Sequence, residues 1–349
     1  MHYVRILKRF AYIVLIFMPL SSLLSVNLEW NKLPNLPDKE GFAGSFCGVI
    51  NNVLFVAGGA NFPDKRPWEG GTKVWYDTIY SLRKGESTWR KEGKMPHLNG
   101  YGISLTTKEG IVFIGGGDSK SNFKELWLLN YSHGKLTFKQ WPDLPLPLAQ
   151  ATGALDNRVI YVYGGATSPD SKQASNKLFT LNLDNLSAGW QSLESCPGYG
   201  RIFPTSSICS GSFYIFGGAR LYSDSTGSLK REWLADAWCY KPNQGWIKLA
   251  NLPYPSVAAP SPSYCINNQI LILGGDDGSQ VNTTTTMHKG FRREILIYNT
   301  ANNTWSTHGS IPFSLVTTSS TLWGDDIVIA GGEQRPGVRS PEIWLGKTH

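Results

Sequence analysis

The chain has 349 residues, with Gly 37, Trp 13, Tyr 15 and Phe 15 but only 17% charged residues. That composition disfavours a helical protein and suits short strands joined by tight turns. The formal charge of +7 falls to +4 without Arg5, Lys8 and Arg9; with no run of five like charges, it points away from a nucleic-acid partner.

The first feature along the chain is an export signal. Arg5, Lys8 and Arg9 precede an apolar run from Phe10 to Leu24, which ends among Ser21, Ser22 and Ser25. The run is short for a membrane span, so residues 1–25 read as a signal peptide cut near Ser25, with 26–349 as the folded domain. A retained N-terminal anchor is the rival reading, kept open by Pro19 and by Leu23 ahead of the cut. No cysteine stands at the cut, which disfavours a lipid anchor. The expectation is a periplasmic or secreted bacterial protein with no membrane association after cleavage. The oligomeric state is left open.

A short segment around Trp30, Leu28–Leu33, comes next, with Pro37 seven residues after the tryptophan. Six units follow. In each, an apolar β-run ends in a Gly–Gly doublet: VLFVAGG to Gly59, IVFIGG to Gly116, VIYVYGG to Gly165, SFYIFGG to Gly218, ILILGG to Gly275 and DIVIAGG to Gly332. After a loop of variable length a second strand appears, at 77–82, 124–129, 176–181, 235–240, 293–298 and 341–346. A tryptophan then opens an outer strand in five units, at Trp89, Trp141, Trp190, Trp246 and Trp305.

Doublets roughly 50 to 57 residues apart have the period of a kelch repeat. The expected fold is therefore all-β, a six-bladed kelch-type β-propeller. Glycine at each doublet permits backbone conformations and close approaches that a side chain would block. The sixth unit lacks its tryptophan strand, and the orphan strand around Trp30 is the missing piece. The N-terminal strand should close the last blade and remove a sheet edge. The five cysteines, Cys47, Cys196, Cys209, Cys239 and Cys265, form no C-x-x-C pair. A disulfide is allowed but not assignable, and Cys47, Cys209 and Cys265 read as small buried residues on strands.

Longer segments carry a resemblance. GFAGSFCGVINNVLFVAGGANFP, NGYGISL (99–105), ATGALDNRVIYVYGG (151–165), the stretch from Arg201 to Gly218 and GGEQRPGVR resemble bacterial N-acetylneuraminate epimerases, the sialic acid mutarotases. The order differs: in those enzymes the unit resembling residues 41–82 comes late and the Glu-Arg segment lies mid-chain. The chain is similar to the cyclically permuted subset, and a closed ring tolerates a moved chain break.

The resemblance implies a catalytic pair. Glu333 follows the sixth doublet and Arg339 comes six residues later, after Arg335, Pro336 and Gly337. This matches the family's Glu-x5-Arg pair, in which the Glu accepts a proton. On spacing alone a loop ion pair is the commoner explanation; the matching segment tips the reading to catalysis. Opening a cyclic hemiketal needs a base for the anomeric hydroxyl and an acid for the ring oxygen, and a guanidinium can fork onto the sugar acid's carboxylate. No cofactor or metal is required, and the histidines lack metal spacing.

Long loops at 60–76, 219–234 and 276–292 should cover one face and shape a pocket. Weaker candidates for substrate contact are Arg201, Tyr101, Asn99 and Asp276, with Asp277, His288, Lys65 and Arg66 also near these loops. Each taken singly is as well explained as a solvated charge, a cap or a packing group. The expected function is an isomerase, a mutarotase interconverting the anomers of N-acetylneuraminate or a related sugar acid. The alternatives are a non-catalytic kelch module binding carbohydrate or protein, and a propeller oxidase or lyase. The former lacks a partner domain and the latter its metal constellation.

Overall fold

A computed structural model describes residues 28–348, so the expected signal peptide and its cut near Ser25 lie outside the described residues. Six four-stranded antiparallel sheets are arranged as blades. The first blade runs Phe46–Ile50, Val53–Ala57, Thr78–Arg83 and Arg90–Lys94, and the next four repeat that order along the chain. The sixth takes Ser319–Trp323, Asp326–Arg335 and Val338–Thr348 from the C-terminal end and Leu28–Leu33 from the start. Trp30 pairs with Gly346, whose missing side chain leaves room for the indole. The indole meets Phe313 edge to face at 5.0 Å, so closure by the N-terminal strand is as expected.

The core is divided among the blade junctions. Phe46, Phe55 and Ile79 of blade one pack on Ile111, Phe113 and Leu129 of blade two, and a comparable cluster fills each of the other five junctions. Inner strands are therefore buried on both faces, which is why they read as continuous apolar runs rather than alternating ones. The tryptophans fasten the outer edges. Trp89, Trp190, Trp246 and Trp305 donate their indole N–H to a carbonyl of the preceding blade, at Pro34, Pro142, Glu194 and Ala250, over 2.8 to 2.9 Å.

Every doublet glycine has positive φ, from 56° at Gly217 to 122° at Gly332. A methyl group at Gly217 would stand 2.1 Å from the Ser256 carbonyl oxygen of the next blade, so no other residue fits there. At the channel mouth the chain makes a second, tighter connection. Gly44, Tyr101, Gln150, Phe203, Ala258 and Thr317, one per blade, all have φ between 52° and 66°. Each donates its N–H to the carbonyl of the previous member, and Gly44 donates to Thr317, closing a circle of six bonds of 2.7 to 3.0 Å.

One disulfide, between Cys209 and Cys265, ties the first strand of blade four to that of blade five, with Cα atoms 5.5 Å apart. This corrects the reading of those two residues as ordinary buried thiols; Cys47, Cys196 and Cys239 are buried and free. Of the long loops, two are hairpins, Ala60–Asn61 with Val74–Trp75 and Ala219–Ser223 with Leu229–Trp233. Among the described residues no helix is long and apolar enough to cross a membrane.

Deleting residues 26–34 should expose the edge of blade six and remove both Trp30 and the Pro34 acceptor of Trp89. The expected cost exceeds the ~3–5 kcal/mol of one large core truncation. Removing 279–287, an exposed loop stretch, should cost far less. Equal urea midpoints for the two deletions would contradict closure by this strand.

Candidate active site

The residue after each doublet makes the same antiparallel bridge to the residue before each circle member. These six equivalent positions carry Ala60, Gly117, Ala166, Ala219, Asp276 and Glu333. Four have at most a methyl group. The two that carry a carboxylate are in neighbouring blades, and both line one cavity of about 340 Å³ at the channel mouth. That volume lies within the range of small-molecule sites. Its floor is formed by circle members, Tyr101, Gln150, Phe203, Ala258 and Thr317, and its wall by Phe62, Lys73, Arg231 and Phe291 from the long loops.

Glu333 is held by its backbone first: its N–H donates to Val316 at 2.9 Å and its carbonyl accepts from Val316 at 3.0 Å. Its strand reverses at Pro336 and Gly337, where φ is 79°, so that Glu333 and Arg339 are direct cross-strand partners. Arg339 Nη1 lies 2.5 Å from Glu333 Oε1, which also accepts the Gly337 N–H at 2.6 Å. Oε2 is the oxygen free of both contacts. Arg339 is 6% exposed, with its guanidinium 5.2 Å from the centre of the Phe62 ring. Burial alone would push that guanidinium down; the Glu333 carboxylate and the Tyr101 phenol outweigh it and hold Arg339 above its ordinary value.

The remaining charges set the field. Lys73 and Arg231 add two cations to Arg339, against the carboxylates of Glu333 and Asp276. Both Asp276 oxygens accept hydrogen bonds, Oδ2 from the Trp233 indole at 2.9 Å and Oδ1 from the Gly278 N–H at 2.9 Å. The cavity can hold an anion against its guanidinium while a carboxylate stands beside the same ligand. Among the described residues no group of three His, Cys, Asp or Glu side chains is placed to hold a metal ion.

The KLHDC2/KLHL20/DRC7 Kelch-repeats domain matches residues 102–332, about two thirds of the sequence. The chain belongs to this kelch-repeat family. The N-acetylneuraminate epimerase family matches residues 20–138. The kelch chain is 31% identical over 234 residues to N-acetylneuraminate epimerase of Haemophilus influenzae, spanning 59% of each protein. It is 27% identical over 237 residues to that of Yersinia enterocolitica, covering 60% of this chain and 58% of the relative. The chain thus spans under two thirds of the length of these curated relatives. The solved structure of YjhT shares the fold at TM-score 0.65 and 14% identity, covering 91% of this chain and 99% of that one.

Of the candidates read from the sequence, the kelch propeller brings Glu333, Arg339, Tyr101 and Asp276 together. It does not bring Arg201 or Asn99 to the cavity. Arg201 is fully buried, donating through Nη1 and Nη2 to Asp236 at 2.7 and 2.8 Å and to the carbonyls of Tyr199 and Gly217. Four of its five N–H groups are so engaged and the side chain is sealed from solvent, so this guanidinium is not offered to a ligand. Asn99 is also buried; its Nδ2 donates to Gly115 and its carbonyl accepts from Gly59, which fastens blade one to blade two. Asp277 is paired with Arg292 at 2.6 Å and Arg66 with Glu40 at 2.6 Å. His288 is buried against Phe291, and that burial pushes its imidazole down.

Lys73, Arg231, Gln150 and Phe203 escaped the sequence reading. The circle members had a signal, since five of the six stand fourteen residues before a first doublet glycine, as Tyr101 does before Gly115. Lys73 and Arg231 had none, lying in long loops of units one and four that the six-fold repeat does not specify.

Arg201 and Asp236 give a test of the structural assignment. Truncating Asp236 should cost about 3–5 kcal/mol, because the fully buried Arg201 guanidinium is left unpaired. Burial pushes the Asp236 carboxyl up, but the hydrogen bonds and charge of Arg201 outweigh it and hold it below its ordinary value. A depressed folded value means the stabilisation is present above the unfolded value, about 3.9, and is lost as pH falls through the folded one. Asp236→Asn should therefore lose stability at pH 7, with the gap to wild type closing below about pH 4 in urea titrations. A selective loss of sugar-acid binding with unchanged stability would restore Arg201 as a ligand.

Proposed function

We propose that this protein is a mutarotase that interconverts the anomers of N-acetylneuraminate or a related sugar acid, an isomerase with no cofactor. The observation that carries the reading is the cross-strand pair of Glu333 and a buried Arg339, facing a cavity of small-molecule size. The N-acetylneuraminate epimerases similar in sequence supply the substrate class. Their Glu-x5-Arg segment is matched by Glu333 and Arg339, and this chain is read as a cyclic permutant of them.

In this reading Arg339 and its cationic neighbours receive the sugar carboxylate. Glu333 Oε2 takes the proton of the anomeric hydroxyl. The bond from the anomeric carbon to the ring oxygen then breaks, leaving a ketone; rotation and re-closure on the other face return the proton. The circle of backbone bonds beneath keeps the base fixed while the sugar turns. We further propose that the protein acts in the periplasm or outside the cell, after loss of residues 1–25, where the Cys209–Cys265 disulfide would persist.

Glu333→Gln keeps size and hydrogen bonding but not proton acceptance, and should lose on the order of 10²–10⁴-fold in the rate above buffer. Arg339→Lys keeps charge but not the planar fork, and should mainly raise KM. Anomer conversion followed by NMR reads both. A Glu333→Gln protein as fast as wild type would contradict the assignment, and a protein that binds sugar acid without turning it over would be a kelch binding module.

A further inference from the structure

Ring opening also needs a proton on the departing ring oxygen, and neither Glu333 nor Arg339 is suited to give it. We infer that Tyr101 is the residue that donates it. This inference rests on the mutarotase reading.

The backbone fixes Tyr101 from both sides. Its N–H donates to Gly44 at 2.8 Å, its carbonyl accepts from Gln150 at 2.7 Å, and its φ is 61°. A tyrosine in the left-handed region is strained by about 1–2 kcal/mol, and the closed circle imposes it. From there the side chain leans across blade one. Gly44 is the one glycine among the six circle members, and a methyl group there would stand 2.6 Å from Tyr101 Cδ1 and 2.9 Å from Cε1. The empty position lets the phenol cross from blade two toward blade six, where it interacts with the Arg339 guanidinium. Lys73 Nζ sits 5.2 Å from the ring centre, and Phe203 meets the ring edge to face at 6.3 Å.

Competing donors fit less well. Asp276 has both oxygens occupied as acceptors. The Thr317 hydroxyl is a far weaker acid than a phenol. Lys73 carries protons, but its ammonium packs on the faces of Trp75 and Tyr101, 5.1 and 5.2 Å from their centres. There it stabilises negative charge growing on the phenol oxygen.

The step balances. Glu333 takes the anomeric hydroxyl proton as the bond between anomeric carbon and ring oxygen breaks. The bond's electrons stay on the ring oxygen, which takes the Tyr101 proton and becomes a free hydroxyl of the open-chain ketone. Closure on the opposite face reverses both transfers, so Tyr101 and Glu333 end as they began.

Tyr101→Phe removes only the proton and its oxygen. With N-acetylneuraminate, kcat should fall on the order of 10²-fold while KM changes little. Calorimetry with 2,3-didehydro-N-acetylneuraminate, which cannot mutarotate, should give a Kd within about twofold of wild type. Gly44→Ala is a second variant: it keeps the phenol but crowds it, and kcat should fall there too. Unchanged kcat in Tyr101→Phe overturns the inference, as does a Kd that weakens in step with kcat, which makes Tyr101 a binding group. A full loss of kcat in Lys73→Met with an active Tyr101→Phe gives the proton to Lys73 instead. Wild type with no rate above buffer removes the mutarotase reading itself, and the inference with it.

Discussion

Six peptide N–H groups around the channel mouth each donate to the carbonyl of the blade before, and the circle closes on itself. Five of its members are not glycine and carry the strain of positive φ, against a net gain of about 1 kcal/mol per hydrogen bond. The circle is therefore not a source of stability in its own right. It persists because the blade junctions and the Trp30 strand hold the six blades at the spacing that closes it. In return it provides a floor in which the N–H of every circle member is already bonded. Left-handed φ turns the side chains of Tyr101, Gln150, Phe203, Ala258 and Thr317 into the cavity.

Symmetry does the folding and its violations shape the cavity. The doublets, apolar inner strands and outer tryptophans recur because every blade must solve the same packing problem. At the position after the doublet the problem is solved by Ala or Gly four times, and by Asp276 and Glu333 where the cavity is lined. The circle repeats the lesson: Gly44 stands where Tyr101 must pass. Asp276, Glu333, Gly44 and Tyr101 follow one another round the ring, in blades five, six, one and two.

That distinction also explains what was legible in the sequence. Blade number, strand order and closure by Trp30 depend on local signals that recur along the chain, and the structure matches them within a few residues at strand ends, except that Trp141 ends its outer strand, Lys135–Trp141, instead of opening it. Glu333 and Arg339 were legible because they are close in sequence and sit in a recognisable segment. Arg201 was misread because its partner, Asp236, lies 35 residues away, just before the strand Ala237–Lys241, and nothing local announces the pairing. The Cys209–Cys265 bridge spans 56 residues, close to one repeat period, so equivalent strand positions in adjacent blades were a usable signal that went unread. The circle of backbone bonds is marked only by its spacing from the doublets and not by residue type, and Lys73 and Arg231 belong to insertions whose path only the folded chain reveals.

A proton NMR time course of α-N-acetylneuraminate, freshly released from a glycoside, with and without the wild-type protein, tests mutarotation directly. The protein should shorten the approach to anomeric equilibrium and leave the final ratio of anomers unchanged. A time course identical to buffer, at protein concentrations where calorimetry shows the sugar acid bound, would contradict it.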